Sequence, residues 1–513
     1  MMLRVIGIGG MESKFSERSS RFFCRLFSVS SKAVVDAAAK DGELRVFMVS
    51  GEVSGDAIAS RLMASLKNLS PFPIRFLGVG GSLMANEGLK SIFPMEDIAV
   101  MGIWELLPHL NKIRLKLKEA AEAALLFQPH VVVTVDSKGF SFRLLRQLRA
   151  RYREQGSHSP VHFHYVAPSF WAWKGGEARL KNLREFVDHL LCILPFEEEV
   201  CRSHGLAATY VGHPILEDAL YLNMGKNNRM IDLRVQGDCA SFQSKYGISS
   251  GSTVITLLPG SRLQEVSRML PIFSSTMELL KDSFPELTTV IPVALNQHVE
   301  NYIQKAMQRW PVSAVLIYGG SPQLKYGAFS ASTAALTTSG TAVLELQLAR
   351  LPCVVAYRAH FLTEWFIRRK AKIQYISLPN ILLNSAVIPE ALFQDCKPKN
   401  LAALLMEIIH NKGLREEQII TAENVLGLLC PSDTNKSNIR PQDLRSGFPN
   451  YTPNHLFPAS ALQGEAMSLR LALDLQRGAV LTTLLASECQ VDKQILMLLA
   501  TRIQFVMYST MNL

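Results

Sequence analysis

The sequence lacks the patterns that mark several common classes of protein. Its eight cysteines are scattered, with no CxxC pair and no histidine at ligand spacing. This argues against a zinc site or a disulfide scaffold and indicates buried free thiols in a reducing compartment. No uncharged apolar run is long enough to span a membrane. No run of five or more basic residues and no stripe of interleaved aromatic and basic residues is present, which argues against nucleic acid as a partner.

Two further absences concern small ligands. No Asp-X-Asp pair follows a predicted strand, and no side chains have the spacing of a zinc or calcium site. We therefore expect no metal and no other cofactor. Gly51, Gly55 and the Gly80-Gly81 pair do not form a GxGxxG fingerprint, which disfavours an NAD-dependent dehydrogenase. If a phosphate leaves in the reaction, the charges and helix dipoles of the protein must stabilise it.

Length, charge and composition indicate a two-domain protein with an acidic partner. The chain has 513 residues, of which 48% are hydrophobic, and a net charge of +10. This length suits two domains of roughly 150 to 200 residues with extensions. The positive charge favours a phosphorylated substrate or an anionic membrane surface.

Residues 1–43 have the composition of an organelle transit peptide, or of a disordered tail. Basic residues outnumber acidic ones there, and serines and phenylalanines are interspersed. Because the arginines are spaced along a possible amphipathic helix, we expect a mitochondrial protein, peripheral to the inner membrane, with a plastid as second choice.

From residue 44 the chain alternates short apolar runs with helical segments, which predicts an α/β fold with two Rossmann-like parallel sheets and a cleft between them. We predict an N-terminal acceptor domain over 44–220, a UDP-sugar domain over 221–428, an irregular polar linker within 216–248, and a linker with an atypical helical tail over 429–513. The predicted strands are residues 45–49, 76–79, 130–135, 161–166, 190–194, 208–211, 253–258, 288–293, 314–318, 334–337 and 353–357.

Two of these strands end in small residues of the kind that bind phosphate. One turn contains Gly260, Ser261 and Arg262, and the other contains Ser339 and Gly340, followed by a helix that starts at Thr341. Both leave free backbone N–H groups at a strand-to-helix turn, where a phosphate can bind. Together the two turns predict a site for a nucleoside diphosphate.

Two charged side chains complete the predicted nucleotide site. Arg262 can donate to the diphosphate through its guanidinium, although a surface arginine at a turn is the simpler interpretation. Glu345 lies one helical turn after Thr341, so its carboxylate can accept hydrogen bonds from the ribose hydroxyls unless it is merely solvated.

Asp136 is the strongest candidate for a catalytic base. It closes the valine-rich strand 130–135, where its carboxylate can take a proton from an attacking hydroxyl, or cap the following helix. Glu52, in the first glycine-rich turn, and His213, at the domain junction, are weaker candidates, because a single histidine is more often structural.

The segment 101–125 has an apolar face with basic flanks. Ile103, Trp104, Leu107 and Leu110 are followed by a stretch in which Lys112, Arg114, Lys116 and Lys118 alternate with Ile113, Leu115 and Leu117. Such a segment can lie in a membrane interface, although an apolar stripe more often faces the core of the protein.

The order of several sequence blocks resembles one family, the lipid-A-disaccharide synthases. The resemblance runs from about residue 44 to about residue 424. The blocks are Ser50-Gly51-Glu52-Val53-Ser54-Gly55-Asp56, Ala99-Val100-Met101-Gly102, Tyr165-Val166-Ala167-Pro168-Ser169-Phe170-Trp171-Ala172-Trp173, Leu194-Pro195-Phe196-Glu197, Val211-Gly212-His213-Pro214, the Pro259 to Arg262 turn, Ser339 to Glu345 and Ser377-Leu378-Pro379-Asn380.

This resemblance implies a GT-B glycosyltransferase that inverts the anomeric centre. It implies transfer of 2,3-diacylglucosamine from its UDP conjugate to 2,3-diacylglucosamine 1-phosphate (lipid X), and a possible homodimer. Asp136 matches the essential aspartate of the family. Arg262 and the Ser339 to Glu345 block match its UDP site, to which Asn380 of the last block also belongs. The aspartate-rich loop of the family is replaced here by Ser137 to Phe140, so a second carboxylate is absent.

Two other functions share the same nucleotide features. One is a different GT-B enzyme, such as a UDP-N-acetylglucosamine 2-epimerase, which would not need the amphipathic segment 101–125. The other is a protein that binds UDP or lipid without catalysis, in which Asp136 would be dispensable.

Overall fold

The computed structural model describes residues 34–98, 103–223, 233–294, 296–319, 321–359 and 361–430. Most of the predicted transit peptide and the predicted C-terminal tail lie outside the described residues. The described residues divide into two compact units, the first ending at Val211 and the second beginning at Gly212, except that Trp171–Gly176 belongs to the second.

The first unit is built on a seven-stranded parallel sheet with the order β3-β2-β1-β4-β5-β6-β7. Its strands are β1 (Leu44–Ser50), β2 (Ile74–Val79), β3 (Lys90–Ser91), β4 (Val131–Val135), β5 (Val161–Tyr165), β6 (His189–Cys192) and β7 (Ala208–Tyr210). All five residues of β4 are buried, as expected for a strand covered on both faces. Its helices are Val53–Leu69, Ser82–Asn86, Ile103–Phe127, Lys138–Glu154, Leu180–Leu183 and Pro195–Ser203, with 3₁₀ turns at Met95–Asp97, Phe170–Ala172 and Glu177–Arg179.

The second unit has a six-stranded parallel sheet with the order β10-β9-β8-β11-β12-β13. Its strands are β8 (Thr253–Leu258), β9 (Leu287–Pro292), β10 (Ser313–Ile317), β11 (Ala334–Thr337), β12 (Cys353–Tyr357) and β13 (Glu390–Leu392). Its helices are Ile215–Asn223, Cys239–Tyr246, Leu263–Leu280, Gln297–Met307, Pro322–Ala331, Thr341–Ala349, Phe361–Lys370, Leu378–Leu383, Pro398–His410 and Lys412–Leu428, with a 3₁₀ turn at Phe393–Asp395.

The predicted α/β fold with two Rossmann-like parallel sheets is confirmed. The prediction of an irregular linker within residues 216–248 is wrong, because the helices Ile215–Asn223 and Cys239–Tyr246 occupy much of that stretch. Asp238 caps the second of these helices by accepting a hydrogen bond from the Ser241 amide. Asp238 therefore marks the start of a helix rather than an irregular linker.

The described residues bear on two predictions, one about free cysteine thiols and the other about membrane-spanning segments. The six cysteines in it are all free, and four of them are buried, in agreement with the prediction of buried thiols; the six are Cys192, Cys201, Cys239, Cys353, Cys396 and Cys430. None of the helices in the described ranges is long and apolar enough to cross a membrane.

Candidate active site

Each sheet has one point at which its strand order reverses. The reversal lies between β1 and β4 in the first unit and between β8 and β11 in the second. Open parallel sheets bind ligands beside such a point, at the carboxyl ends of the strands. Glu52 and Asp136 follow β1 and β4, and Arg262 and Ser339 follow β8 and β11. The sequence-predicted residues therefore fall at both reversals.

The backbone of Asp136 is held in a strained conformation. Asp136 and Ser137 have φ angles of 50° and 47°, in the left-handed region that few residues other than glycine adopt. The Asp136 amide donates to the Tyr165 carbonyl at 2.9 Å, and its carbonyl accepts from the Ser141 hydroxyl at 2.8 Å. The half-buried carboxylate has no hydrogen-bond or ion-pair partner among the described residues. Such backbone strain is typical of functional sites. Because the carboxylate has no partner among the described residues, it can interact with a substrate.

The neighbouring turn, which carries Glu52, packs against the Asp136 turn. A side chain at Gly51 would overlap the hydroxyl of Ser137, so only glycine allows this approach. Glu52 is half-buried at the start of the helix Val53–Leu69. The two candidate carboxylates thus lie on turns that are in contact.

Val166 adds a second strained position at this edge of the sheet. It follows β5 and has a φ angle of 75°, which is unusual for a β-branched residue. Its amide donates to the Leu191 carbonyl at 3.0 Å, and the preceding residue accepts the hydrogen bond from Asp136. Sequence reasoning placed Val166 in a family block but gave no signal of this strain.

His213 lies in the second unit and is buried. Its Nδ1 atom accepts a hydrogen bond from the Ile215 amide at 3.2 Å, at the start of the helix Ile215–Asn223. Burial lowers the pKa of His213 to about 4, so the ring is neutral at physiological pH. In this position His213 caps a helix.

The two glycine turns of the second unit are neighbours, as their sequences predict. β8 pairs with β11, and the Thr338 amide donates to the Leu258 carbonyl at 3.0 Å, where both strands end. Gly260 and Gly340 have φ angles of 119° and 143°, which only glycine adopts readily. Ser261, Arg262, Gly340 and Thr341 are exposed. The helices Leu263–Leu280 and Thr341–Ala349 therefore begin side by side, with accessible donors suited to an anion.

Glu265 lies between these turns and was not among the predicted site residues. A side chain at Gly260 would overlap its carboxylate, so the carboxylate packs directly under that turn. Burial raises the pKa of the Glu265 carboxyl, while the neighbouring Thr338, Arg262 and Ser261 act in the opposite direction. A sequence signal existed, because an acid at the third helical position commonly reaches back to the first turn.

Glu345 is held by a lysine that sequence reasoning missed. The Lys325 ammonium contacts the Glu345 carboxylate at 2.6 Å, and both side chains are about three-quarters buried, with exposed fractions of 27% and 22%. Nearby, the Ser339 hydroxyl donates to the Ile376 carbonyl at 3.0 Å, which ties the second turn to the segment before Ser377. Lys325 thus fixes the carboxylate one turn inside the helix.

The amide of Asn380 is used within the protein. Asn380 is fully buried, and its Nδ2 donates to the Ile388 carbonyl and the Glu390 carboxylate at 2.7 and 2.9 Å. Its Oδ1 accepts from the Ile388 amide at 2.9 Å. Glu390 also accepts from the amide and the hydroxyl of Ser377. Asn380 therefore positions the loop next to Ser339 rather than offering free polar atoms.

Ile103, Trp104, Leu107 and Leu110 lie in the first turns of the helix Ile103–Phe127, but their side chains are outside the description. Further along this helix Ile113 is buried and Leu115 is 63% exposed. Across the described ranges, no group of three or more His, Cys, Asp or Glu side chains could hold a metal ion.

Residues 46–440 match the lipid-A-disaccharide synthetase family. A probable mitochondrial lipid-A-disaccharide synthase of Arabidopsis thaliana is 61% identical over 452 residues, which cover 88% of this chain and 96% of the relative. A lipid-A-disaccharide synthase of Rhodospirillum centenum is 41% identical and covers 73% of this chain and 88% of its own. A solved UDP-GlcNAc 2-epimerase from Neisseria meningitidis, bound to UDP-GlcNAc, is 13% identical with a TM-score of 0.46, over 75% of this chain and 99% of that chain.

The relatives with high identity are all of one kind, and they do not favour the epimerase alternative. The family match spans the described parts of both units from β1 onward, including the turns that carry Asp136, Arg262 and Ser339. The chain belongs to the lipid-A-disaccharide synthase family of glycosyltransferases.

Proposed function

We propose that this chain transfers 2,3-diacylglucosamine from UDP-2,3-diacylglucosamine to the 6-hydroxyl of lipid X. The products are the β-1′,6-linked lipid A disaccharide 1-phosphate and UDP. The observation that carries the proposal is the pair of adjacent glycine turns at the β8 and β11 ends, joined by the hydrogen bond between Thr338 and Leu258. Family membership supplies the identity of the sugar and of its acceptor.

The second unit binds the UDP-sugar in this proposal. The N–H groups of the turns at Gly260 and Gly340 surround the diphosphate, and Arg262 neutralises its charge. Glu345, held in place by Lys325, accepts hydrogen bonds from the ribose hydroxyls. Asn380 stabilises this site indirectly, because its hydrogen bonds to Ile388 order the loop next to Ser339.

The first unit binds the acceptor, and Asp136 acts as the general base. The 6-hydroxyl oxygen forms a bond to the anomeric carbon while the bond from that carbon to the phosphate oxygen breaks. The hydroxyl proton passes to the Asp136 carboxylate, and UDP leaves with the bonding electrons. One displacement inverts the anomeric centre, and the fixed positive charge of the turns stabilises the departing diphosphate without a metal ion. Glu52, on the adjoining turn, is the second proposed catalytic carboxylate.

Both substrates are acidic lipids, which gives the positive net charge a function. We propose that the start of the helix Ile103–Phe127, through Ile103, Trp104, Leu107 and Leu110, contacts the membrane surface that holds them. The exposed Leu115 and the exposed Lys112 on the same helix support this contact.

We further propose that the enzyme acts as a peripheral protein of the mitochondrial inner membrane and that it forms a homodimer. The composition of residues 1–43 and the mitochondrial description of the Arabidopsis thaliana relative support the compartment. Import of a fluorescent fusion carrying residues 1–43 would test it, and accumulation in plastids would contradict it.

Product analysis tests the reaction. The full chain, given UDP-2,3-diacylglucosamine and lipid X, should form a disaccharide whose mass is that of the two substrates less UDP and whose new anomeric proton has the β configuration by NMR. An α-linked product would contradict the single displacement. A sugar nucleotide epimerised at carbon 2, with no disaccharide, would instead establish epimerase activity.

A further inference from the structure

Glu265 places a carboxylate where the proposed reaction requires an anion from the substrate. It is the third residue of the helix Leu263–Leu280 and packs under Gly260. Ser261, in the first glycine turn, and Thr338, next to the second, both favour its charged form. An acidic side chain of the protein itself therefore lies at the turns proposed to hold the diphosphate.

A charged Glu265 opposes the binding of a diphosphate at these turns. Two anions within a few ångströms of each other in a partly desolvated site repel strongly, and one of them is then favoured in its neutral form. Protonation removes this repulsion, and the neutral carboxyl group carries an O–H that can donate to a phosphate oxygen.

The groups that act on Glu265 come from three elements. Arg262 and Arg268, at the start of its own helix, favour the charged form, as do the neighbouring Ser261 and Thr338. Tyr357, at the end of β12, is also near enough for the two groups to influence each other, and burial together with Glu265 raises the pKa of Tyr357. Burial is the largest influence on Glu265 and raises its pKa, so the neutral form is more accessible than for an exposed glutamate.

We propose that Glu265 acts as an internal anion that occupies the diphosphate site of the free enzyme and takes up a proton when a nucleoside diphosphate binds. This inference rests on the proposed function, which places the diphosphate at these turns. The proton comes from solvent on binding and returns to it on release. Because linkage is reciprocal, a rise in pH weakens nucleotide binding and favours the departure of UDP.

Calorimetry on the full chain tests the proton uptake directly. UDP is titrated at pH 8 in two buffers of different ionisation enthalpy. The terminal phosphate of a nucleotide has a pKa of about 6, so UDP itself is already ionised at this pH. The expected result is a net uptake approaching one proton per UDP bound. Binding without proton uptake overturns the inference alone, whereas an absence of UDP binding refutes the diphosphate site and the proposed function with it.

Substitution identifies the group that takes up the proton. Glu265→Gln keeps the shape and the acceptor oxygen but removes the charge. We expect this variant to bind UDP more tightly than wild type at pH 8, and to lose the decrease in affinity with pH, which approaches about tenfold per pH unit for one linked proton.

Glu278→Gln is the matched control, since Glu278 is exposed on the same helix, and it should retain the wild-type pH profile. A Glu265→Gln variant that binds UDP more weakly at every pH while keeping the wild-type slope would show a merely structural role and overturn the inference.

Discussion

The turns that follow the strands differ between the two units in the residues that adopt positive φ angles. At the β8 and β11 ends the positive φ angles fall on glycines, Gly260 and Gly340, and the turns present backbone N–H groups. At the β4 and β5 ends they fall on Asp136, Ser137 and Val166, which carry side chains. A glycine turn is suited to surround an anion, whereas a strained turn with a side chain fixes one functional group in place. One topology can therefore supply either binding or catalysis, depending on which residue type occupies the turn.

We expect substitution of Asp136 to have the largest effect, because it should lower the transfer rate without changing UDP affinity. Asp136→Asn keeps a residue that tolerates the left-handed conformation but removes the base. Transfer should fall by about 10² to 10⁴ in rate, while UDP affinity stays unchanged because the nucleotide turns lie in the second unit. Steady-state kinetics and UDP titration measure the two quantities. The exposed Asp282→Asn serves as control, and retention of transfer by Asp136→Asn would remove Asp136 from the mechanism.

Acidification should distinguish the two units by stability. In the first unit burial lowers the pKa of His162 to about 4, and that of His164 and of His189 to about 3. In the second unit His213 is lowered to about 4. An unfolded histidine titrates near 6.5, so the unfolded state binds more protons below that pH.

The stability contributed by these neutral rings is complete above about pH 6.5 and is lost as the pH falls toward 4. Across this pH range, each histidine lowers the free energy of unfolding by about 1.4 kcal/mol per unit decrease in pH. Because three such histidines lie in the first sheet, we expect it to unfold before the second sheet as the pH falls from 7 to 5. Hydrogen exchange, corrected for the intrinsic pH dependence, resolves the two sheets, and earlier opening of the second sheet would contradict the prediction.

Arg262→Ala should weaken UDP binding by about 10- to 100-fold, because a charged hydrogen bond to phosphate contributes about 1.5 to 3 kcal/mol. Its effect on a reaction saturated with UDP-sugar should be smaller. Arg309→Ala, an exposed arginine of the same unit, is the matched control. An unchanged UDP affinity in the Arg262 variant would exclude that side chain from the nucleotide site.

The smallest expected effects come from the glycines themselves. Gly340→Ala places a side chain in open space but keeps the unfavourable φ angle, which costs about 1 to 2 kcal/mol. Gly260→Ala has the same backbone cost and also displaces Glu265, so it should be less stable. Gly427→Ala, in a helix with open space around it, should be neutral or slightly stabilising. Urea unfolding measures all three, and equal values for Gly260 and Gly340 would contradict the packing of Glu265.

The strands of both sheets were predictable from sequence because a parallel strand covered on both faces is a continuous apolar run, as in β4 and β8. Two strands are not predicted, β3 with two polar residues and β13 with three residues that include a glutamate, because each forms a strand only through pairing with its neighbour, β2 or β12. The positions of the turns followed from their glycines. The two turns are adjacent because β8 and β11 are neighbours in the sheet. An α/β pattern in the sequence predicts a parallel sheet but does not give its full strand order.

The partners of the site residues were harder to predict. Lys325 lies twenty residues before Glu345, and only the packing of two helices brings them together. Asn380 was assigned to the site by its family block, yet its amide is committed to Ile388 and Glu390. Such partners depend on tertiary contacts, which no local sequence pattern records.

In the proposed reaction, the departure of UDP is coupled to attack by a lipid acceptor. The most direct test measures UDP release from UDP-2,3-diacylglucosamine by the full chain, with and without lipid X, in the presence of a chelator. We expect UDP release that requires lipid X and is unaffected by the chelator. Release that is independent of lipid X, or no release by a folded protein that binds UDP, would contradict it.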